Sequence, residues 1–267
     1  MVYLERAIKF TIKHYLILVP MLAAAVIVSL ASRTGSTSLL NQWQSISGAL
    51  TNGDVGFEDI GPTLQVLSSA ALGGGILATV FTFVTQPMTA GLIKKGLTEK
   101  QVNFDDFMPA FSENIVKYLM FFIGRFVLIA VLTLIGILGL IVVIMLAFAL
   151  GEAGSVLVLI GVLALVAVIF IISVLMSFWF AAMVLDDLDV IDGLKRSIKV
   201  AKKCFWTLFF ISILISIVAG IVGLIFNIFA FIPLLGAILI ALGPTIGSVL
   251  QIVFAFDLYQ DKKQLVI

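Results

Sequence analysis

Residues 118–150 read YLMFFIGRFVLIAVLTLIGILGLIVVIMLAFAL, a run in which Arg125 is the single charge. A helix that crosses the hydrocarbon core of a bilayer needs roughly 20 mainly apolar residues at about 1.5 Å of rise each. This stretch exceeds that length without interruption, and residues 156–185 follow it with no charge at all. Working outward, further apolar runs lie at 15–31, 65–89, 205–229 and 234–259, the last two separated only by Ile232-Pro233. The chain has 267 residues, of which 62% are hydrophobic and 12% charged. So little polar material cannot cover a water-soluble body of this size. The expected fold is all-α: a polytopic membrane bundle of six transmembrane helices forming a single integral membrane domain over 1–267.

The cations set the expected orientation, because short loops rich in Lys and Arg stay in the cytoplasm. With six spans and the N-terminus inside, the inner segments hold Arg6, Lys9 and Lys13, then Lys94, Lys95, Lys100 and Lys117. They also hold Lys195, Arg196, Lys199, Lys202 and Lys203, and finally Lys262 and Lys263. The outer segments have Arg33 with Asp54, Glu58, Asp59 and Glu152. Five spans would scatter these cations onto both faces, so both termini are expected in the cytoplasm. The net charge of +1 hides the asymmetry. No nucleic-acid partner is expected, since that requires a concentrated basic surface. The lone Cys204 excludes an internal disulfide and reads as a small packing residue. Residues 15–31 have the outline of a signal peptide ending in Ser29-Leu30-Ala31, but cleavage would leave an odd number of spans, so the segment is read as uncut.

Three segments between the spans carry helical periodicity and are expected as amphipathic cytoplasmic interfacial helices at about 2–14, 104–116 and 190–203. The first places Leu4, Ala7, Ile8 and Ile12 opposite Glu5, Arg6, Lys9 and Lys13. The second places Phe104, Phe107, Met108, Phe111 and Ile115 opposite Asp105, Asp106, Ser112, Glu113 and Lys117. The third places Val190, Ile191, Leu194, Ile198, Ala201 and Phe205 opposite the five cations Lys195, Arg196, Lys199, Lys202 and Lys203. Asp189 is its expected cap, with Asp187 and Asp192 at the positive end of the helix dipole. Each segment leads through a boundary aromatic (Tyr15, Tyr118, Phe205 with Trp206) into a pair of spans, which suggests three units of interfacial helix plus hairpin. On the other side, Leu39, Leu40, Trp43, Ile46 and Leu50 are spaced as a short surface helix, with an irregular tail at 51–61.

The segment 180–210, FAAMVLDDLDVIDGLKRSIKVAKKCFWTLFF, carries a recognisable pattern. An apolar span ends in a small acidic turn, a helix with Gly193-Leu194-Lys195-Arg196-Ser197 follows, and Lys203-Cys204-Phe205-Trp206 opens the next span. Pro87 to Gly91 followed by Phe104-Asp105-Asp106-Phe107 matches a second cytoplasmic loop of the same kind. From about Pro87 onward the chain resembles an uncharacterised family of bacterial and archaeal multi-pass membrane proteins, related to the membrane domain of glycerophosphoryl diester phosphodiesterases. The resemblance implies a prokaryotic plasma membrane location and an association with lipids or membrane-protein partners. It implies no catalysis, because the separate soluble phosphodiesterase domain of some relatives has no counterpart in this sequence.

The residues themselves offer little for an enzyme. The single histidine, His14, has no Cys or carboxylate cluster beside it, whereas a zinc site needs three or four convergent ligands. Gly73-Gly74-Gly75 lacks the strand and the Lys-Ser/Thr of a phosphate loop and fits close helix approach instead, with Ala71 and Thr79 extending a small-residue face. No catalytic residue, metal site or cofactor is expected. An improvised magnesium site at Asp186, Asp187, Asp189 and Asp192 is the remaining enzymatic reading. No carboxylate is embedded in a span, Asp257 being near a cytoplasmic end, which weakens an ion-coupled transporter.

Two intramembrane features have two readings each. Arg125 is either a functional charge or a cation that snorkels from an overlong span to the interface. Gly243-Pro244, near the middle of the sixth span, is either an ordinary kink or the broken-helix site found in transporters. Ser68, Ser69, Thr79, Thr82, Thr85, Gln86, Asn227 and Gln251 are explained by hydrogen bonds between helices. The leading functional expectation is a non-enzymatic membrane protein that binds partner proteins or anionic lipids through Lys195, Arg196, Lys199, Lys202 and Lys203. A transporter or lipid translocator using Arg125, Gly243 and Pro244 is the alternative.

Overall fold

The computed structural model describes residues 2–30, 60–99, 101–150, 154–229 and 231–266. The surface helix expected around Leu39 to Leu50, the tail up to residue 59, and Arg33, Lys100 and Glu152 lie outside the described residues. Among those described, the chain is helical and contains no strand. The helices are α1 Val2–Lys13, α2 Tyr15–Leu30, α3 Ile60–Glu99, α4 Phe107–Leu150, α5 Gly154–Leu175, α6 Trp179–Leu185, α7 Val190–Asn227 and α8 Pro233–Lys262. Five segments are long and apolar enough to cross a membrane: Ile76–Glu99, Phe104–Leu150, Gly154–Leu185, Val190–Asn227 and Leu235–Lys262. The bent pair α1 and α2 makes a sixth if counted as one span. The break between α7 and α8 falls where Ile232-Pro233 places it.

The three interfacial segments behave differently. α1 meets α2 at an angle of 88°, and the turn falls at His14. The 190–203 segment is joined to its span in α7, with a kink at Cys204, whose backbone leaves the helical region (φ −127°, ψ 24°). The expected interfacial helix at 104–116 is not separate: after a single 3-10 turn at Phe104–Asp106, α4 runs unbroken from Phe107 into its apolar run. Nothing between Phe111 and Tyr118 interrupts the backbone hydrogen bonds, because no Pro or Gly lies there. α3 also begins earlier than expected, so Ile60 and Gly61 are helical rather than part of an irregular tail.

Packing is uneven along the bundle. α3 lies on α4, α4 on α5, α7 on α8, α1 on α8, and the short α6 is wedged against α7. The buried core gathers at one end, where Ala7, Ile17, Leu92, Ile93, Phe178, Ala182, Val200, Phe254 and Tyr259 meet. Away from it, the apolar windows of α4 and α5 have no buried residue, and Phe148 is 85% exposed. An uncovered apolar surface of that extent needs lipid as its solvent.

α7 and α8 touch backbone to backbone. A Cβ added at Gly243 would stand 2.7 Å from the Gly223 amide nitrogen and 3.2 Å from the Ala219 carbonyl oxygen. Small residues permit this approach, as is usual between helices in lipid. α8 continues as one helix through Pro244, which faces outward while Gly243 and Gly247 are buried.

Candidate functional site

The cation-rich end of the bundle is organised by two adjacent carboxylates in the turn after α6. Asp186 accepts a hydrogen bond from the Tyr259 hydroxyl at 2.6 Å and one from the Lys263 ammonium at 2.5 Å. Asp187 pairs with Lys117 of α4 and, at 3.7 Å, with Lys94 of α3. Asp187 holds φ at 52°, a left-handed value that Asp tolerates better than most residues. That reversal lets consecutive carboxylates face different helices. Around them, the Arg196 guanidinium donates to the Lys263 carbonyl at 3.2 Å, the Trp179 indole to the Val190 carbonyl at 2.7 Å, and the Ser197 hydroxyl to the Leu175 carbonyl at 2.8 Å. α1 is tied to α8 by the Tyr3 hydroxyl bonding to Asp261 at 2.6 Å and by Arg6 with Asp257 at 3.4 Å.

These partners redistribute the residues singled out from sequence. The acids proposed as a magnesium site are divided among separate cations, Asp192 being paired with Lys195 at 3.2 Å. Asp189 occupies the N-cap of α7 but its side chain makes no capping bond, so its contribution is positional and electrostatic. The five cations of the third segment also separate. Arg196 turns into the polar junction, whereas Lys195, Lys199, Lys202 and Lys203 are exposed. Trp206, 66% exposed, and Phe210, 61% exposed, continue that exposed face along α7, their rings stacked 5.7 Å apart. Residues 195, 199, 202, 206 and 210 recur at three- and four-residue spacing, so cations and then aromatics line one stripe.

The buried face of this segment shares only Ala201 with the expected apolar stripe. Gly193, Ser197, Val200, Ala201 and Cys204 are buried, while Ile191 is 67% exposed. In α1, Ala7 of the expected apolar face is buried together with Thr11, while Ile12 is 71% exposed, and His14 in the turn that follows is buried. His14 packs against Phe10 with the rings tilted and their centroids 4.7 Å apart, and the Cys204 thiol bonds to the Val200 carbonyl, a packing role.

Arg125 is exposed and lies at one end of a cavity of about 790 Å³ between α4 and α5. Its neighbour Gly124 packs against α6 and the start of α7: an added Cβ there would stand 3.1 Å from the Trp179 ring. Gly124 thus reaches the level of the 186–190 turn, and Arg125 sits at that end of its span rather than at mid-height. Gly243 and Pro244 are about the α7 and α8 contact and do not converge with Arg125 on any described cavity.

Residues 5–256 match a domain of unknown function, DUF7847. The chain belongs to the DUF7847 family. The match begins within α1 and ends within α8, so Asp186, Asp187 and the α7 stripe lie inside it, while Tyr259 and Lys263 lie just beyond. No curated protein matches this DUF7847 chain, and no solved structure does. Membership of a domain family of unknown function is therefore established, and the match carries no link to the phosphodiesterase membrane domain.

Proposed function

We propose that this protein is a non-enzymatic integral membrane protein of a prokaryotic plasma membrane that binds anionic lipids at its cytoplasmic face. The observation that carries this reading is the exposed stripe of α7, in which Lys195, Lys199, Lys202 and Lys203 lead directly into Trp206 and Phe210. Cations at the level of an anionic leaflet contribute about 1 kcal/mol each, and aromatics such as Trp settle at the headgroup boundary. The kink at Cys204 supports this reading, since it allows the segment before it to follow the surface while the one after it crosses. Partner-protein binding through the same cations is the weaker form of this reading, because a stripe that ends in exposed aromatics at a span boundary has the composition of a lipid contact.

The test is lipid analysis of the protein purified in mild detergent, comparing the wild type with a variant carrying Lys195→Gln, Lys199→Gln, Lys202→Gln and Lys203→Gln. Arg196 is kept, since it belongs to the folded junction. Anionic lipid is expected to be enriched over its share of the membrane, and the variant to lose most of that enrichment. Equal enrichment in both proteins, with matched thermal unfolding, would contradict the proposal.

A further inference from the structure

The cavity between α4 and α5 has an unusual distribution of chemistry. Arg125 stands at one end with Phe121, Phe180 and Ser177, and the walls beyond are Ile129, Leu132, Leu165 and Ile169. Among the described residues no hydrogen bond or ion pair reaches the Arg125 side chain, and the Ser177 hydroxyl donates to its own helix at Ser173. Because Gly124 packs beside Trp179 and Val190, Arg125 lies level with the turn that carries Asp186 and Asp187. That is the level of the lipid phosphates if the cation-rich end faces the inner leaflet. From Arg125 to Ile141 the groove follows α4 for about 24 Å, ample for an acyl chain within one leaflet of a hydrocarbon core roughly 30 Å thick.

We propose that this groove holds a single anionic glycerophospholipid, its phosphate against Arg125 and one acyl chain laid between α4 and α5. The proposal rests on the anionic-lipid reading but assigns it a separate, embedded site. Charge complementarity selects the occupant. A cation at the edge of hydrocarbon is stabilised by an anion, and a guanidinium matches phosphate oxygens with two parallel donors. A second copy of the chain is a poorer occupant, since residues 118–185 offer one acid in all, Glu152, as a partner for the Arg125 charge. Gly139 leaves the groove open, as an added Cβ there meets nothing within 4 Å.

The experiment is native mass spectrometry of the purified protein supplied with phosphatidylglycerol or phosphatidylcholine of identical acyl chains. One phosphatidylglycerol is expected to be retained in preference. Arg125→Gln is expected to reduce that preference about fivefold or more, the factor equivalent to one interfacial cation. Gly139→Leu, placed in open space and so compatible with folding, is expected to lower retention of both lipids. Unchanged preference in Arg125→Gln, unchanged retention in Gly139→Leu, or a lipid-free dimer that persists in excess phosphatidylglycerol overturns the site. The quadruple lysine variant separates the two ideas: loss of the single retained lipid only in Arg125→Gln supports the groove whatever becomes of the α7 stripe. Loss of bulk anionic enrichment only in the lysine variant supports the stripe.

Discussion

At Asp187 a backbone conformation and two ion pairs depend on one side chain. An L-residue in the left-handed region costs about 1–2 kcal/mol, less for Asp and Asn, which bond locally. Asp187→Ala loses both the tolerance and the charge, whereas Asp187→Asn loses only the charge. Thermal unfolding in detergent is expected to place Asp187→Ala below Asp187→Asn, and both below wild type. The bond to the Lys117 ammonium, with help from Lys94, holds the Asp187 carboxyl below the ordinary carboxylate range. A carboxylate depressed in the folded state stabilises the protein above its unfolded value of about 3.9, and that stability disappears as pH falls through the folded value. The wild type is therefore expected to lose its advantage over Asp187→Asn in melts below about pH 4. Because the Asp187 side chain is 66% exposed, solvent screening limits the effect to about 1 kcal/mol or less. Tyr259 differs: it is fully buried and its hydroxyl meets a charged acceptor in Asp186. Tyr259→Phe is expected to cost about 1.5–3 kcal/mol, the usual range for a hydrogen bond to a charged group. Neither contact was legible in the sequence, since 73 residues separate Asp186 from Tyr259 and no periodicity links them. What could be read was the acidic turn itself, which its place between an apolar run and a basic helix makes conspicuous.

At the scale of elements, glycine has opposite consequences at two places in the same helix pair. At Gly243 an added Cβ meets the backbone of α7, so Gly243→Ala forces α7 and α8 apart and is expected to cost about 1–3 kcal/mol, as overpacking does. At Gly220 an added Cβ meets nothing within 4 Å, so Gly220→Ala is expected to be neutral or to stabilise by up to about 1 kcal/mol through helix propensity. Melting curves of the two variants decide whether Gly243-Pro244 is a packing element. Equal behaviour would remove the close contact. The spans were legible in the sequence because length and hydropathy determine which helices can cross a bilayer. The faces were not. Periodicity groups the large apolar side chains on one side, yet α1 buries Thr11 and exposes Ile12, and α7 buries Gly193 and Ser197 and exposes Ile191. Where lipid is the solvent, a large apolar side chain loses little by facing outward, and close helix approach selects small residues for the interior. The bends at His14 and Cys204 fall where the 2–14 and 190–203 segments were expected to end, although neither residue is a helix breaker, whereas the break expected after 104–116 is absent.

For the whole molecule, the end that carries most cations is also the end with the tight core and the cross-helix ion pairs, whereas α4 and α5 project beyond it with little protein around them. Stability and surface charge are thus concentrated in one layer, and the apolar arms depend on the bilayer. This arrangement couples the proposed lipid contacts to folding, because anything that binds the native state alone raises its stability by mass action. Lys195, Lys199, Lys202 and Lys203 are exposed on that layer without being part of its core. The most direct test is thermal unfolding in nanodiscs of phosphatidylcholine alone against nanodiscs containing phosphatidylglycerol, for the wild type and the quadruple lysine variant. The account predicts a higher midpoint in the anionic discs, an advantage that shrinks as salt screens exposed charge and that largely vanishes in the variant. Identical wild-type midpoints in the two bilayers at low salt would contradict it.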